Sequence, residues 1–521
     1  MRTSMRKIFN VAGPCFPDKH YMIPAIDRLK KVEGLIDDEC FFMVYAARQS
    51  GKTTIMKQLA HKINSENSYY ALYCSLETVQ PFPEPEKGIP EILNRLKFMI
   101  SYSDLPLKEH FGENIDASAT TTLLQSAISS YCKLIDRPFI IFFDEADCLS
   151  DSTLIGFLRQ LRDGYVNRDT VPFLQSCALI GMRNIRDYKN DIRKPWQTLG
   201  TASPFNVITN ALTFSNFTLE QVEELYNQHT QLTGQVFEKN AVELVHYYTN
   251  GQPWLVNAIA RECVVELLDD DYSKNITIEL VEQAKENIIL RRDTHIDSLL
   301  HRLKDPRVKK TIENIITGLK DNVKITNEDT KFCLELGLVK DNGQEIEPSN
   351  RIYKEVFIRY LTSDAQFNLQ SQIQNTWIDQ AGKVDMNGLL QGFQQFWREN
   401  SEIWTKRFEY EEAAPHLILQ AFLQRIINGG GQIIREYASN RERMDLCVIY
   451  GKYKYPVELK LSYSKNYIEK GKEQLANYME TVGETIGWLI VFNRDEKISW
   501  DEKIFWKTEQ INGKTIHVVG A

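Results

Sequence analysis

The stretch YAARQSGKTT, Tyr45 to Thr54, constrains this chain more than any other feature. An apolar run, FFMVY, leads into a loop of small and polar residues, and the loop passes directly into the helical pattern TTIMKQLAHKI. Such a loop can turn successive backbone N–H groups onto one anion, with a helix N-terminus behind them. Phosphate binding also needs a lysine for the outer oxygens and a hydroxyl for Mg²⁺. Gly51, Lys52 and Thr53 supply these groups, and Gln49, Ser50 and Thr54 complete the cradle. The pattern G-x-x-x-x-G-K-T has its first glycine where this chain has Ala46, and alanine is small enough for the same close approach.

A second apolar run, PFIIFFDEAD, carries Asp144 and Glu145 at its C-terminal end. Asp144, with Thr53, is the candidate for holding Mg²⁺, and Glu145 for polarising the water that attacks the γ-phosphate. Two acids after a strand would alone read as a solvated strand end. Beside the loop they predict an ATPase site, with ATP and Mg²⁺ as cofactors.

At 521 residues the chain exceeds one hydrophobic core, and its length suggests roughly three or four domains. From Phe41 to about Leu268, short apolar runs (FFMVYAA, YYALYCSL, PFIIFFDEAD, SCALIGM and NALTF) alternate with amphipathic helical stretches. That alternation predicts an α/β fold with a mainly parallel sheet covered on both faces. The turn-rich PFPEPEKGIP and a helical region up to Cys132 form an insertion between the second and third runs. Boundaries then fall at 1–217 for an ATPase core, 218–294 for a helical lid, and 295–362 for a helix, helix, strand, strand module of winged-helix type. A polar link at 363–387 precedes a final α/β domain at 388–521. A winged helix can place its second helix in a major groove; it can equally serve as a protein-packing module.

The N-terminal region resembles the AAA-like ATPases of the archaeal and STAND-type branch, over about residues 10–290. The resemblance implies a γ-phosphate sensor after the fourth strand, where ALIGMRNIRDY offers Arg183 and Arg186, which surface salt bridges would also explain. It implies a lid contact to the nucleotide from GQPWLV, centred on Pro253, although proline also suits an ordinary helix start. It places Tyr21 and Met22 near adenine, where core packing is the alternative.

A second cluster lies in RMDLCVIYGKYKYPVELKL, which reads as a hairpin turning at YGKYK. Glu458 and Lys460, two apart on one strand, point to the same face, and Asp445 opens the other strand. Charged groups on an otherwise apolar strand pair are costly to bury unless something divalent or anionic binds there. The arrangement resembles the PD-(D/E)XK nuclease superfamily over about residues 388–495. The resemblance implies a metal site of Asp445, Glu458 and a helix-borne acid, Glu412 or its neighbour Glu411. Lys460 would then activate water, and Gln474, with Tyr478 one turn on, would face the phosphates. Arg435, Arg441 and Arg443 lie close by in sequence and suit phosphate contacts.

A net charge of −8 argues against coating nucleic acid through bulk charge, and residues 401–521 hold 17 basic and 17 acidic side chains. Nine scattered cysteines show no zinc spacing. No apolar run is long enough to span a membrane and no secretory signal opens the chain, which predicts a cytoplasmic protein without a membrane partner. The expected function is an ATP-regulated, Mg²⁺-dependent nuclease acting on nucleic acid, DNA in the first instance. Two alternatives are a STAND-like switch or scaffold whose C-terminal domain binds without cutting, and a loader working as a homo-oligomer, with Arg186 or Arg193 reaching a neighbouring nucleotide.

Overall fold

The computed structural model describes residues 6–24, 32–113, 115–116, 118–149, 151–181, 208–316, 327–343, 345–369, 377–379, 383–407, 419, 422–423, 431–439, 442–462, 465–493 and 498–521. The chain divides into two compact units. The first comprises Met1–Leu299, Ile325–Gln344 and Pro348–Ile352; the second comprises Leu300–Lys324, Glu345–Glu347 and Tyr353–Ala521.

Five parallel strands form the sheet of the first unit: β1 (Phe41–Tyr45), β2 (Tyr70–Ser75), β3 (Phe139–Asp144), β4 (Ser176–Gly181) and β5 (Ile208–Thr213). Their order is β2-β3-β4-β1-β5, so β4 separates the strand before the phosphate loop from the strand that ends in Asp144. Every residue of β3 and β4 is buried, as expected of strands covered on both faces. One face packs under helices Pro85–Ser101, Leu123–Leu134 and Asp151–Val166 through Ile92, Leu96, Ile128 and Phe157. The other packs under helix Lys52–Glu66 through Ile55, Met56 and Leu59. The turn-rich segment differs from its sequence reading, because helix begins within it at Pro85. Proline suits the first helical turn, where its missing N–H has no partner to lose.

The segment expected to form a lid holds helices Leu219–Thr233, Lys239–Thr249, Pro253–Arg261 and Ile278–Arg291. Thr218 and Gln221 form a reciprocal capping box, and Gly234 closes the helix at φ 79°. Gly251 has φ 68°, and a Cβ there would lie 1.8 Å from the Phe217 carbonyl oxygen, so only glycine fits this turn. Tyr21 belongs to the core: it is buried among Phe9 and His229, and its hydroxyl lies 2.9 Å from His229 Nδ1. Helices Pro306–Ile316 and Glu328–Glu335 and strands β6 (Val339–Asp341) and β7 (Ile346–Pro348) follow in the predicted order, but a further helix, Arg351–Leu369, comes after them and runs into the segment read as a polar link.

A six-stranded mixed sheet forms the core of the second unit: β8 (Gly431–Ser439), β9 (Glu442–Tyr450), β10 (Tyr453–Ser462), β11 (Ile486–Asn493), β12 (Trp506–Ile511) and β13 (Lys514–Gly520). Its order is β12-β13-β11-β10-β9-β8. Helix Met386–Arg407 covers one face through Leu389, Phe393 and Trp397 against Val457, Leu459 and Ile490. Helix Lys465–Val482 covers the other through Leu475 and Met479 against Leu489 and Val491. Among the described residues no helix is long and apolar enough to cross a membrane.

Candidate functional site

β1 ends at Tyr45, and the loop to Lys52 stands at the C-terminal edge of the sheet, where ligands of open α/β sheets bind. Gln49 and Gly51 take left-handed backbone angles, φ 59° and 90°, which bend the loop over the N-terminus of helix Lys52–Glu66. The Lys52 amine is buried and donates to the carbonyls of Ala46 (2.8 Å) and Ala47 (3.0 Å). Burial pushes its pKa down, opposed by the charges of Glu145, Asp144 and Asp147. Among the described residues the desolvated ammonium is held by loop carbonyls, and such a group is a site prepared for an anion. The Thr54 hydroxyl accepts the Cys15 backbone N–H at 3.0 Å, tying the N-terminal segment to the helix start.

Asp144 is 1% exposed at the end of β3. Its Oδ2 accepts the Thr53 hydroxyl at 2.8 Å and the Tyr73 hydroxyl at 2.6 Å, while Oδ1 accepts the Glu145 N–H at 2.9 Å. A hydroxyl beside a carboxylate is a hard oxygen donor set that suits Mg²⁺. Glu145 turns away from the strand at φ 54°. Burial and the neighbouring Asp144 raise its pKa, the shift that brings a carboxylate toward general-base duty.

His295, Ser298 and Gly337, which meet this loop, carried no signal in the sequence. The Gln49 side chain accepts from His295 Nδ1, and His295 lies buried on helix Thr294–Arg302. Arg48 donates to the Ser298 hydroxyl at 3.2 Å. Gln252 caps helix Pro253–Arg261 by accepting the Leu255 N–H at 2.6 Å, and its amide nitrogen lies 3.4 Å from the Gln49 carbonyl. The turn before Pro253 therefore reaches the loop through Gln252. A Cβ on Gly337 would lie 2.3 Å from Ala47 Cβ, so this glycine packs directly on the loop. Arg183, Arg186 and Arg193 lie outside the described residues.

In the second unit, β9 and β10 join through the two-residue turn Gly451–Lys452. Glu458 is 2% exposed, and its Oε1 accepts Lys460 Nζ at 2.7 Å. Alternation with Val457 and Leu459 turns both toward helix Lys465–Val482, where a Cβ on Gly471 would lie 3.1 Å from Lys460 Cε. Tyr478 packs on Cys447 of β9, which sets Gln474, half-buried, between these two contacts along the helix. Leu446 pairs with Val457, so the backbone of Asp445 falls level with Glu458. The side chains of Asp445, Arg435 and Arg443, and the whole of Glu411, Glu412 and Arg441, lie outside the described residues. Among the described residues no three His, Cys, Asp or Glu side chains meet as a metal cage.

Residues 22–359 match the family described as AAA-like domain. The chain belongs to the AAA-like domain family. That match covers the phosphate loop, the Asp144 strand and the helices from Leu219 to Arg291, and this AAA-like region is a nucleotide-binding P-loop ATPase fold. Residues 388–496 match a domain of unknown function, DUF8371. No curated protein matches the chain. Among solved structures, a Walker-type ATPase of Pyrococcus abyssi aligns at 14% identity and TM-score 0.46, covering 67% of this chain and 99% of that one. The Aeropyrum pernix ORC2 protein aligns at 15% identity and TM-score 0.37, covering 66% and 92%. The Thermotoga maritima RuvB Holliday junction branch migration motor aligns at 14% identity and TM-score 0.34, covering 64% and 93%.

Proposed function

We propose that this AAA-like protein binds and hydrolyses ATP with Mg²⁺ and that its C-terminal unit is a Mg²⁺-dependent nuclease acting on DNA, its cutting set by the nucleotide state. In the ATPase, the loop N–H groups and Lys52 take the phosphates, Thr53 and Asp144 hold the ion, and Glu145 accepts a proton from the attacking water. Mg²⁺ supplies charge neutralisation at the phosphates. Arg183 and Pro253 are assigned to the nucleotide side of the same site.

The observation that carries the nuclease reading is the Glu458–Lys460 pair, 2.7 Å apart with the carboxylate buried and the ammonium half-buried, on a strand whose neighbour brings the backbone of Asp445 level with it. Leaving a carboxylate and an ammonium under a helix costs more than an apolar pair of the same shape unless the charges are used. Asp445, Glu458 and a helix acid, Glu412, would hold the ion, Lys460 would activate water, and Gln474 would place the phosphate backbone. The segment 295–362 is read as a winged-helix-like module between the two activities.

A second reading, a nucleotide-controlled switch that binds without cutting, draws support from the same pair, since Lys460 already neutralises Glu458. One experiment separates them. The full chain is incubated with single- and double-stranded DNA and RNA, with and without Mg²⁺ and ATP, beside Asp445→Ala and Lys460→Ala. Mg²⁺-dependent cleavage lost in both variants supports the nuclease; cleavage unchanged in either variant, or absent from the parent, rejects it.

A further inference from the structure

We propose that Tyr73 is a positioning residue for the divalent ion of the ATPase site, acting by locking the carboxylate of Asp144. The inference rests on the reading of Thr53 and Asp144 as the Mg²⁺ site and names a residue on which that site depends.

Tyr73 lies on edge strand β2, where Ser75 pairs with Asp144 and Tyr73 with Phe142. Alternation along YALYCS sets Ala71, Tyr73 and Ser75 on the face that packs under helix Lys52–Glu66. The Tyr73 ring therefore runs beneath the helix that begins at Lys52, and its hydroxyl emerges at Asp144 Oδ2, 2.6 Å away. Lys57, one turn after Thr53, holds its ammonium 5.0 Å from the ring centroid.

Hydrogen-bond inventory gives the argument its force. An ionised carboxylate offers about four lone-pair positions on two oxygens. In Asp144 the Thr53 and Tyr73 hydroxyls take both positions on Oδ2, and the Glu145 N–H takes one on Oδ1. A single position on Oδ1 is left for the ion or its water. Thr53 and Glu145 are neighbours of the phosphate chemistry itself, whereas Tyr73 arrives from a different strand, its hydroxyl donating to Asp144 beside Thr53. At 2.6 Å the phenol O–H donates to Asp144 Oδ2, and the ring packed under the helix fixes the direction from which it does so. Without that donor the carboxylate can rotate and exchange its oxygens, and the ion meets a disordered ligand.

Tyr73→Phe removes one oxygen and keeps the ring in place. Binding of the fluorescent nucleotide mant-ADP to the full chain is measured in EDTA and across a Mg²⁺ titration. The expected result is an unchanged affinity in EDTA and a Mg²⁺ half-saturation raised about tenfold, the loss of one hydrogen bond to a charged group. In the Asp144→Asn background the same substitution should add nothing, since the effect passes through Asp144. Lys57→Met, which alters the ring's surroundings but not the hydroxyl, should leave the half-saturation where it was.

An unchanged half-saturation in Tyr73→Phe overturns the proposal. So does an equal loss of affinity with and without Mg²⁺, which marks a structural role. A parent protein whose mant-ADP affinity ignores Mg²⁺ overturns the ion-site reading itself, and the Tyr73 proposal with it.

Discussion

His295 lies flat on Trp254, their ring centroids 4.7 Å apart and their planes 17° apart. The stack, on one side of the phosphate loop, presents the His295 Nδ1–H to Gln49. Burial pushes the imidazole's pKa down to about 3, so the ring is neutral in the folded protein.

That depression has a definite sign. Between the unfolded value near 6.5 and the folded value, the unfolded chain binds a proton that the native ring refuses, so stability is lost as pH falls. By pH 5 the loss from this residue is about 2 kcal/mol. His295→Phe keeps an aromatic ring on Trp254 and cannot titrate. The melting temperature of the parent should fall more steeply from pH 7 to pH 5 than that of the variant, and parallel slopes would refute the assignment.

Glu145→Gln should bind nucleotide like the parent and hydrolyse it slower by ~100-fold or more, the usual worth of a general base. Since burial and Asp144 raise the carboxyl's pKa, the acid limb of the parent's kcat profile should lie above the ordinary carboxylate range. It should vanish in whatever activity the variant retains. A pH–rate profile with mant-nucleotide binding as a control decides the matter.

Gly251 and Gly234 share a left-handed backbone but differ in surroundings: the Phe217 carbonyl crowds one, and nothing lies within 4 Å of the other. Gly234→Ala should cost about 1 kcal/mol, the strain of the backbone alone. Gly251→Ala must also push the Phe217 turn aside and should cost at least ~3 kcal/mol. Denaturant midpoints of the two variants give the comparison, and equal losses would contradict it.

Lys460→Met leaves the Glu458 carboxylate buried without its ammonium. A full deletion of one partner in a buried pair costs about 3–5 kcal/mol; Lys460 keeps 20% of its side-chain surface, so ~2–3 kcal/mol is expected. The double variant Glu458→Leu, Lys460→Met should recover most of that stability. If the pair serves chemistry, the recovered protein remains unable to cleave DNA, a split that thermal melts and a nuclease assay read side by side.

The hairpin β12–β13 shows what a local pattern can hide. Asn512 and Gly513, φ 48° and 75°, form its two-residue turn between alternating strands WKTEQI and KTIHVV. An Asn-Gly turn is a strong local signal for such a hairpin, but it says nothing of which strand the hairpin joins. β13 pairs in parallel with β11, Thr515 opposite Ile486, a partner 29 residues upstream.

Local order was legible because it is written in neighbouring residues. Short continuous apolar runs set the five parallel strands, Thr218 and Gly234 set a helix's ends, and the Gly51-Lys52-Thr53 loop followed a strand as its chemistry requires. Contacts between residues far apart in the chain had no such imprint. Gln49 meets His295 across 246 positions and Tyr73 meets Asp144 across 71, and neither pairing follows any period or spacing. These meetings depend on strand order and on which helix is folded against which edge, and those are settled by the packing of the whole core.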